Sequence, residues 1–241
     1  MSVHLPPLPP VGGETTGPDV ADVVDREHRE LLALCDELLP GGTEARDGEA
    51  RGTEARGTEA RGTEARGTEA RGTETRDGDA RGTGAGRSRT IAQVVSAALS
   101  RHLSAEEQYV YPAVRAIVPG GEQLADREIA EDRALLEALR LLEAAGDDER
   151  AERAADVRRR LQRHADAAAG ELMPLLVHMA SAEELIRLGN RVEMAEEAAP
   201  TRPHPGTPAT PPWNKVVDPA VAVVDKIRDV VGRRITYPRD L

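Results

Sequence analysis

His102 and Glu106 stand four residues apart in an otherwise apolar run, and His28, Asp132 and His164 each interrupt a separate apolar run of helical spacing. Side chains four apart on a helix project from one face, so an imidazole and a carboxylate placed this way can reach one metal ion or two adjacent ones. One histidine on an apolar face is more often a hydrogen-bonded core residue than a ligand. Several such interruptions converging on one core need a shared partner, because a buried imidazole or carboxylate is costly unless paired, hydrogen-bonded or bound to a cation. A metal ion is the simplest candidate. Mixed imidazole and carboxylate donors suit iron, manganese or zinc, and bridging carboxylates suit a pair of iron or manganese ions.

Positioning these residues requires four helices. In the first, Val24, His28, Leu31, Cys35 and Leu38 recur at steps of four and three until Pro40-Gly41-Gly42. A second fits residues 89–117, with Ile91, Val95, Ala98, His102, Glu106, Tyr109 and Ala113 on one face and Pro112 kinking its far end. On this spacing Tyr109 follows Glu106 and can hydrogen-bond a ligating carboxylate. After Pro119-Gly120-Gly121, a third helix carries Ala125, Ile129, Asp132, Leu135, Leu139 and Leu142 to an end near Gly146. Asp147 and Asp148 can cap the fourth, which aligns Val157, Leu161, His164, Ala168, Leu172 and Leu175, with Pro174 in its distal part. The expected fold is all-α, an antiparallel up-down four-helix bundle over residues 19–180.

The rest of the chain reads as attachments. Residues 1–18 form a flexible Pro- and Gly-rich leader. Residues 42–88 form a disordered insertion, built mostly of Gly-Thr-Glu-Ala-Arg units that offer too little apolar surface to offset the entropy of ordering. A short accessory helix over 181–199 opens with the Ser181-Ala-Glu-Glu184 capping box, breaks near Gly189 and lies outside the bundle. A Pro-rich linker from 200 leads to an amphipathic tail helix lined by Val217, Val221, Val224, Ile227 and Val231, able to dock on the bundle or on a protein partner.

Composition narrows the function classes. The chain is 39% hydrophobic and 2% aromatic with no Phe, so its core is built from aliphatic side chains, and its net charge of -11 argues against nucleic-acid binding. No run is long and apolar enough to span a membrane. One cysteine, Cys35, forbids an intrachain disulfide and reads as core packing, and a reducing cytoplasm is the expected location. The Glu-x-x-His spacing of ferritin-like proteins is missing before each core histidine.

The stretch His102-Leu-Ser-Ala-Glu106-Glu107-Gln-Tyr-Val-Tyr111-Pro112 resembles the His-x-x-x-Glu-Glu-x-x-(aromatic)-Pro segment of hemerythrin-like, or HHE cation-binding, domains. Arg26-Glu27-His28-Arg29-Glu30-Leu31 resembles their first-helix ligand segment, and His164 through Met173-Pro174 repeats the second-helix spacing. The resemblance spans roughly residues 20–180. It implies a non-heme iron site of one or two ions, with manganese or zinc less favoured, that binds or senses oxygen, peroxide or nitric oxide. The implied ligands are His28, His102, Glu106, Asp132 and His164. Two positions depart from the family pattern: Asp132 stands where a histidine is usual, and Ala168 where a glutamate is expected. Glu128 or Glu171 is a possible replacement. The alternatives are a catalase- or peroxidase-like enzyme, and a metal-free bundle serving as an interaction scaffold.

Overall fold

The computed structural model describes residues 15–40, 76–205, 225, 229 and 235–241. The expected leader up to residue 14, the insertion between 41 and 75 and most of the tail helix lie outside the described residues. Among the described residues the fold is all-helical, with no strand. Helix α1 spans Val20–Asp36, and the Asp19 side chain caps it by accepting from the Ala21 and Asp22 amides. Helix α2 spans Arg76–Ala105, passes through a π-helical turn at Glu106–Val110 and continues as α3, Tyr111–Ile117. Helix α4 runs Gly121–Ala144. Helix α5 runs Asp147–Ala167, widens into a second π turn at Ala168–Leu172 and continues as α6, Met173–Met179. Helix α7, Ala182–Ala198, follows.

The two π turns have one cause. Pro112 and Pro174 are each the second residue after a π turn. A proline ring inside a helix crowds the carbonyl four residues back and donates no amide hydrogen, and a widened turn relieves both problems without ending the rod. The Tyr111 and Met173 amides accordingly bond five residues back, to the carbonyls of Glu106 and Ala168. What reads as a kink in the sequence is therefore a one-residue insertion in the helical ladder, and it shifts the face presented by every later side chain.

Three other boundaries differ from expectation. Helix α2 begins at Arg76, inside the stretch read as disordered insertion, and a Cβ built on Gly84 or Gly86 would meet nothing within 4 Å. Extending a helix costs far less than nucleating one, so the packed part of α2 can run on into polar sequence. Gly146 is the N-cap residue of α5 and makes no side-chain cap, while Asp147, Asp148 and Glu149 fill the first turn and complement the helix dipole. Helix α7 is continuous through Gly189 and packs into the core, burying Leu185, Leu188, Val192 and Ala195. Gly189 is a crossing point: a Cβ there would lie 2.7 Å from the Pro18 carbonyl oxygen where the chain enters α1.

The aliphatic core is divided in two. One cluster gathers Val20, Val24, Val114, Ile129, Leu172 and Val192 with their neighbours. The other gathers Leu31, Leu99, Leu103, Leu135, Leu139 and Leu161 with theirs. His28 falls between Val24 and Leu31, Asp132 between Ile129 and Leu135, and His164 between Leu161 and Ala168, so the polar residues form one layer between two greasy ones. The end of the chain returns to this body. Ile235 packs against the second cluster, Arg101 donates to the Thr236 carbonyl at 2.9 Å, and Asp225 accepts from the Arg202 amide and pairs with His204.

Candidate metal centre

Helix α1 supplies His28, α2 and its π turn supply His102 and Glu106, and α5 supplies His164; each is buried. One donor atom from each of these four side chains lies within 4.8 Å of all the others. The Nε2 atoms of His28 and His102 face each other at 2.9 Å. Glu106 sits between the other rings, with Oε1 3.7 Å from His102 Nε2 and Oε2 3.2 Å from His164 Nε2. The three rings meet edge to face, at centroid separations of 4.7, 4.8 and 5.7 Å.

Asp132 is fully buried but stands one ring further out. Its Oδ1 is 3.1 Å from His164 Nδ1, on the side of that ring away from Glu106, and its Oδ2 accepts from the Tyr111 hydroxyl at 2.6 Å. His102 is backed in the same way: its Nδ1 donates to Glu27 Oε2 at 2.9 Å and lies 3.6 Å from Glu196 Oε1. Inner nitrogens thus face Glu106 and outer nitrogens face carboxylates. Glu128 and Glu171 do not join the group, since both are engaged by Arg127. Cys35 lies in the second apolar cluster, and burial followed by the charge of Asp36 pushes its thiol up to about 12.

Tyr111 takes the role the spacing assigned to Tyr109. The π turn places residues five apart on one side, so Tyr111, not Tyr109, reaches Glu106, at 3.1 Å. Tyr109 is half-buried, beneath the Arg191 guanidinium at 6.0 Å. Glu27 and Glu196 are functional candidates that the sequence reading passed over. Glu27 is one residue off the His28 stripe. Glu196 follows Val192 by one turn on the α7 stripe, a signal of the same kind as the others, on a helix the sequence places outside the bundle.

The electrostatics describe a set of groups competing for protons. Burial works against a charged His164, but Glu106 and Asp132 outweigh it and lift its pKa to about 10. Burial likewise opposes charge on His102, and Glu106, Glu196 and Glu27 together raise it well above the ordinary histidine value. Burial, then its two charged neighbours His102 and His164, drives His28 well down. Against the burial penalty, His164 and His102 hold the Glu106 carboxyl far below the usual range. Burial and then Asp132 raise the Tyr111 hydroxyl well above its usual value, so it remains a donor.

The donor set fits a cation. Asp132 Oδ1 and both ring nitrogens of His164 are buried without a hydrogen-bond partner, although carboxylates stand at ion-pair distance. Leaving such atoms unsatisfied is costly, and a coordinated ion on the Nε2 side would engage the nitrogen there.

The profile of the hemerythrin HHE cation-binding domain matches residues 19–186, and the chain belongs to that family. An uncharacterized hemerythrin-like protein of Schizosaccharomyces pombe is 27% identical over 138 residues, covering 56% of this chain and 68% of that protein. No solved structure matches the chain. Among the described residues, no helix is long and apolar enough to cross a membrane.

Proposed function

We propose that the chain holds one non-heme iron ion through His28, His102, Glu106 and His164, and binds or senses oxygen, peroxide or nitric oxide beside it. The observation that carries this reading is the convergence of three imidazoles and one carboxylate, from three separate rods, within 4.8 Å in a layer between two aliphatic clusters. Nitrogen-rich ligation with one carboxylate suits iron, and would accept manganese or zinc. Bound by these residues, iron would supply reversible binding or activation of a small oxidant. In this reading α1, the α2–α3 rod, α4 and the α5–α6 rod form an up-and-down antiparallel bundle with α7 as a fifth helix. Asp132, at ion-pair distance from Nδ1, supplies the negative charge behind His164.

A cavity of about 350 Å³ supports access by a small ligand, because its lining combines buried His28 with Ala21, Val24, Ala168, Met173 and Val177. Its acidic members, Asp22 and Asp25, favour a neutral visitor over an anion. The test is the optical spectrum of the iron-loaded protein on addition of oxygen, peroxide or nitric oxide, with a saturable change expected. Sustained peroxide consumption would move the assignment to a catalase- or peroxidase-like enzyme. A thermal midpoint indifferent to both iron and chelator would leave an interaction scaffold.

A further inference from the structure

His102 is the most heavily backed side chain in the centre. Its ring is 1% exposed, its inner nitrogen faces His28 and Glu106, and its outer nitrogen faces two carboxylates. Glu27 Oε2 accepts from Nδ1 at 2.9 Å, and Glu196 Oε1 stands 3.6 Å away. The two acids have different origins. Glu27 belongs to α1, within the residues that match the family profile, whereas Glu196 belongs to α7 and lies beyond residue 186, where that match ends.

We propose that Glu196, acting with Glu27, is a positioning residue for His102, so that α7 forms a working part of the metal centre. The inference rests on the metal-binding reading above. An imidazole that ligates through one nitrogen needs the other to carry a proton, and an acceptor there fixes both the tautomer and the ring plane. Glu27 performs this directly. Glu196 places a second carboxylate 3.6 Å from the same nitrogen, so negative charge favouring a proton on Nδ1 comes from two helices, α1 and α7. A cavity of about 140 Å³ lined by Glu27, His102, Glu196, Arg101 and Pro238 opens beside the two carboxylates.

The site is also separable from the general docking of α7. Arg26 on α1 donates to Glu193 on α7 at 2.9 Å, a tie between the same two helices that does not touch His102; its guanidinium stands 3.8 Å from Glu27 Oε1, the oxygen that does not face the ring. Glu193→Ala therefore removes one α1–α7 contact without removing an acceptor from the ring.

The experiment uses the full chain in four forms: wild type, Glu193→Ala, Glu196→Ala and the double variant Glu27→Ala/Glu196→Ala. Two quantities are read. The first is Fe(II) affinity by competition with a chelator. The second, in the metal-free protein, is the His102 Nδ1–H resonance in ¹⁵N-edited spectra. Loss of outer-shell partners of a ligating histidine weakens metal binding by about 10–100-fold. The double variant should show a loss in that range and Glu196→Ala a smaller one, while Glu193→Ala binds as wild type does. The Nδ1–H resonance should be downfield and slowly exchanging in wild type and lost in the double variant. If the alanine variant does not fold by circular dichroism, the Glu27→Leu/Glu196→Leu pair, which keeps side-chain bulk and offers no oxygen acceptor, replaces it and should show the same directions. Equal losses from Glu193→Ala and Glu196→Ala would overturn the proposal in favour of plain packing, as would a second bound ion lost together with Glu27 and Glu196. Wild type that binds no iron would sink the metal reading alone. The resonance would then still decide whether the two acids hold the ring, and a resonance unchanged in the double variant overturns that too.

Discussion

The Tyr111 hydroxyl donates to Asp132 at 2.6 Å, joining α3 to α4 directly behind His164. The same oxygen lies 3.1 Å from Glu106, so one phenol spans the carboxylate at the centre and the carboxylate behind it. Tyr111→Phe removes the donor and leaves Asp132 buried with His164 as its remaining polar neighbour. The expected cost is about 1–3 kcal/mol in the stability of the metal-free protein, read by denaturant unfolding. Tyr109→Phe leaves both contacts of the Tyr111 phenol in place and should cost less. Equal costs for the two would contradict the phase shift assigned to the π turn.

Gly189 permits the entry to α1 to cross α7. A Cβ at that position would meet backbone, the Pro18 carbonyl oxygen at 2.7 Å and the Val20 nitrogen at 3.1 Å. Gly189→Ala should destabilise by about 1–3 kcal/mol through overpacking. Gly84→Ala, with open space around it, should raise stability by up to about 1 kcal/mol. Paired thermal melts check both signs.

The metal-free centre holds protons that a metal must displace. His164 is raised to about 10, the carboxylates Glu106 and Asp132 outweighing burial, so at neutral pH its imidazole is charged in the folded protein. A histidine raised above its unfolded value, about 6.5, contributes stability that is complete below that pH and is lost as pH rises through the folded value. The metal-free protein should therefore lose stability between about pH 6.5 and 10. Metal affinity should rise over the same window, because ligating imidazoles must be deprotonated. Proton release on Fe(II) addition, followed with a pH indicator in weak buffer, reads this directly. Binding without proton release would contradict it.

Ala168 occupies in the α5–α6 rod the place Glu106 holds in the α2–α3 rod: one turn after a centre histidine, first in a π turn, with proline at the same distance beyond. It also lines the cavity that reaches His28. Ala168→Glu should add a second bridging carboxylate and move bound iron from about one ion per chain towards about two. Unchanged stoichiometry by metal analysis would count against this equivalence of the two rods.

His28, His102, Glu106 and His164 were legible because each breaks an apolar stripe of period 3.6, and the structure brings those four together. Asp132 was legible by the same rule, but a stripe specifies a layer of the core and not which atom faces which. Its carboxylate ends up behind His164. Tyr111 was hidden because a constant period cannot anticipate the residue that a π turn inserts. Glu196 was hidden because Gly189 resembles a helix break, when the missing Cβ serves a backbone crossing that only the tertiary structure reveals. The whole apolar stripe expected of the tail lies outside the described residues, whereas Asp225, Ile235 and Thr236 touch the chain's own body.

Retained iron is the most direct measure of the central claim. Metal-free protein is loaded anaerobically with Fe(II), desalted and analysed for iron per chain, in wild type, His102→Ala, Glu106→Ala and Glu107→Ala. The account predicts about one ion retained by wild type and by Glu107→Ala, and little by His102→Ala or Glu106→Ala, since only these two remove donors from the cluster. Wild type that retains no iron, or His102→Ala that retains as much as wild type, would contradict it.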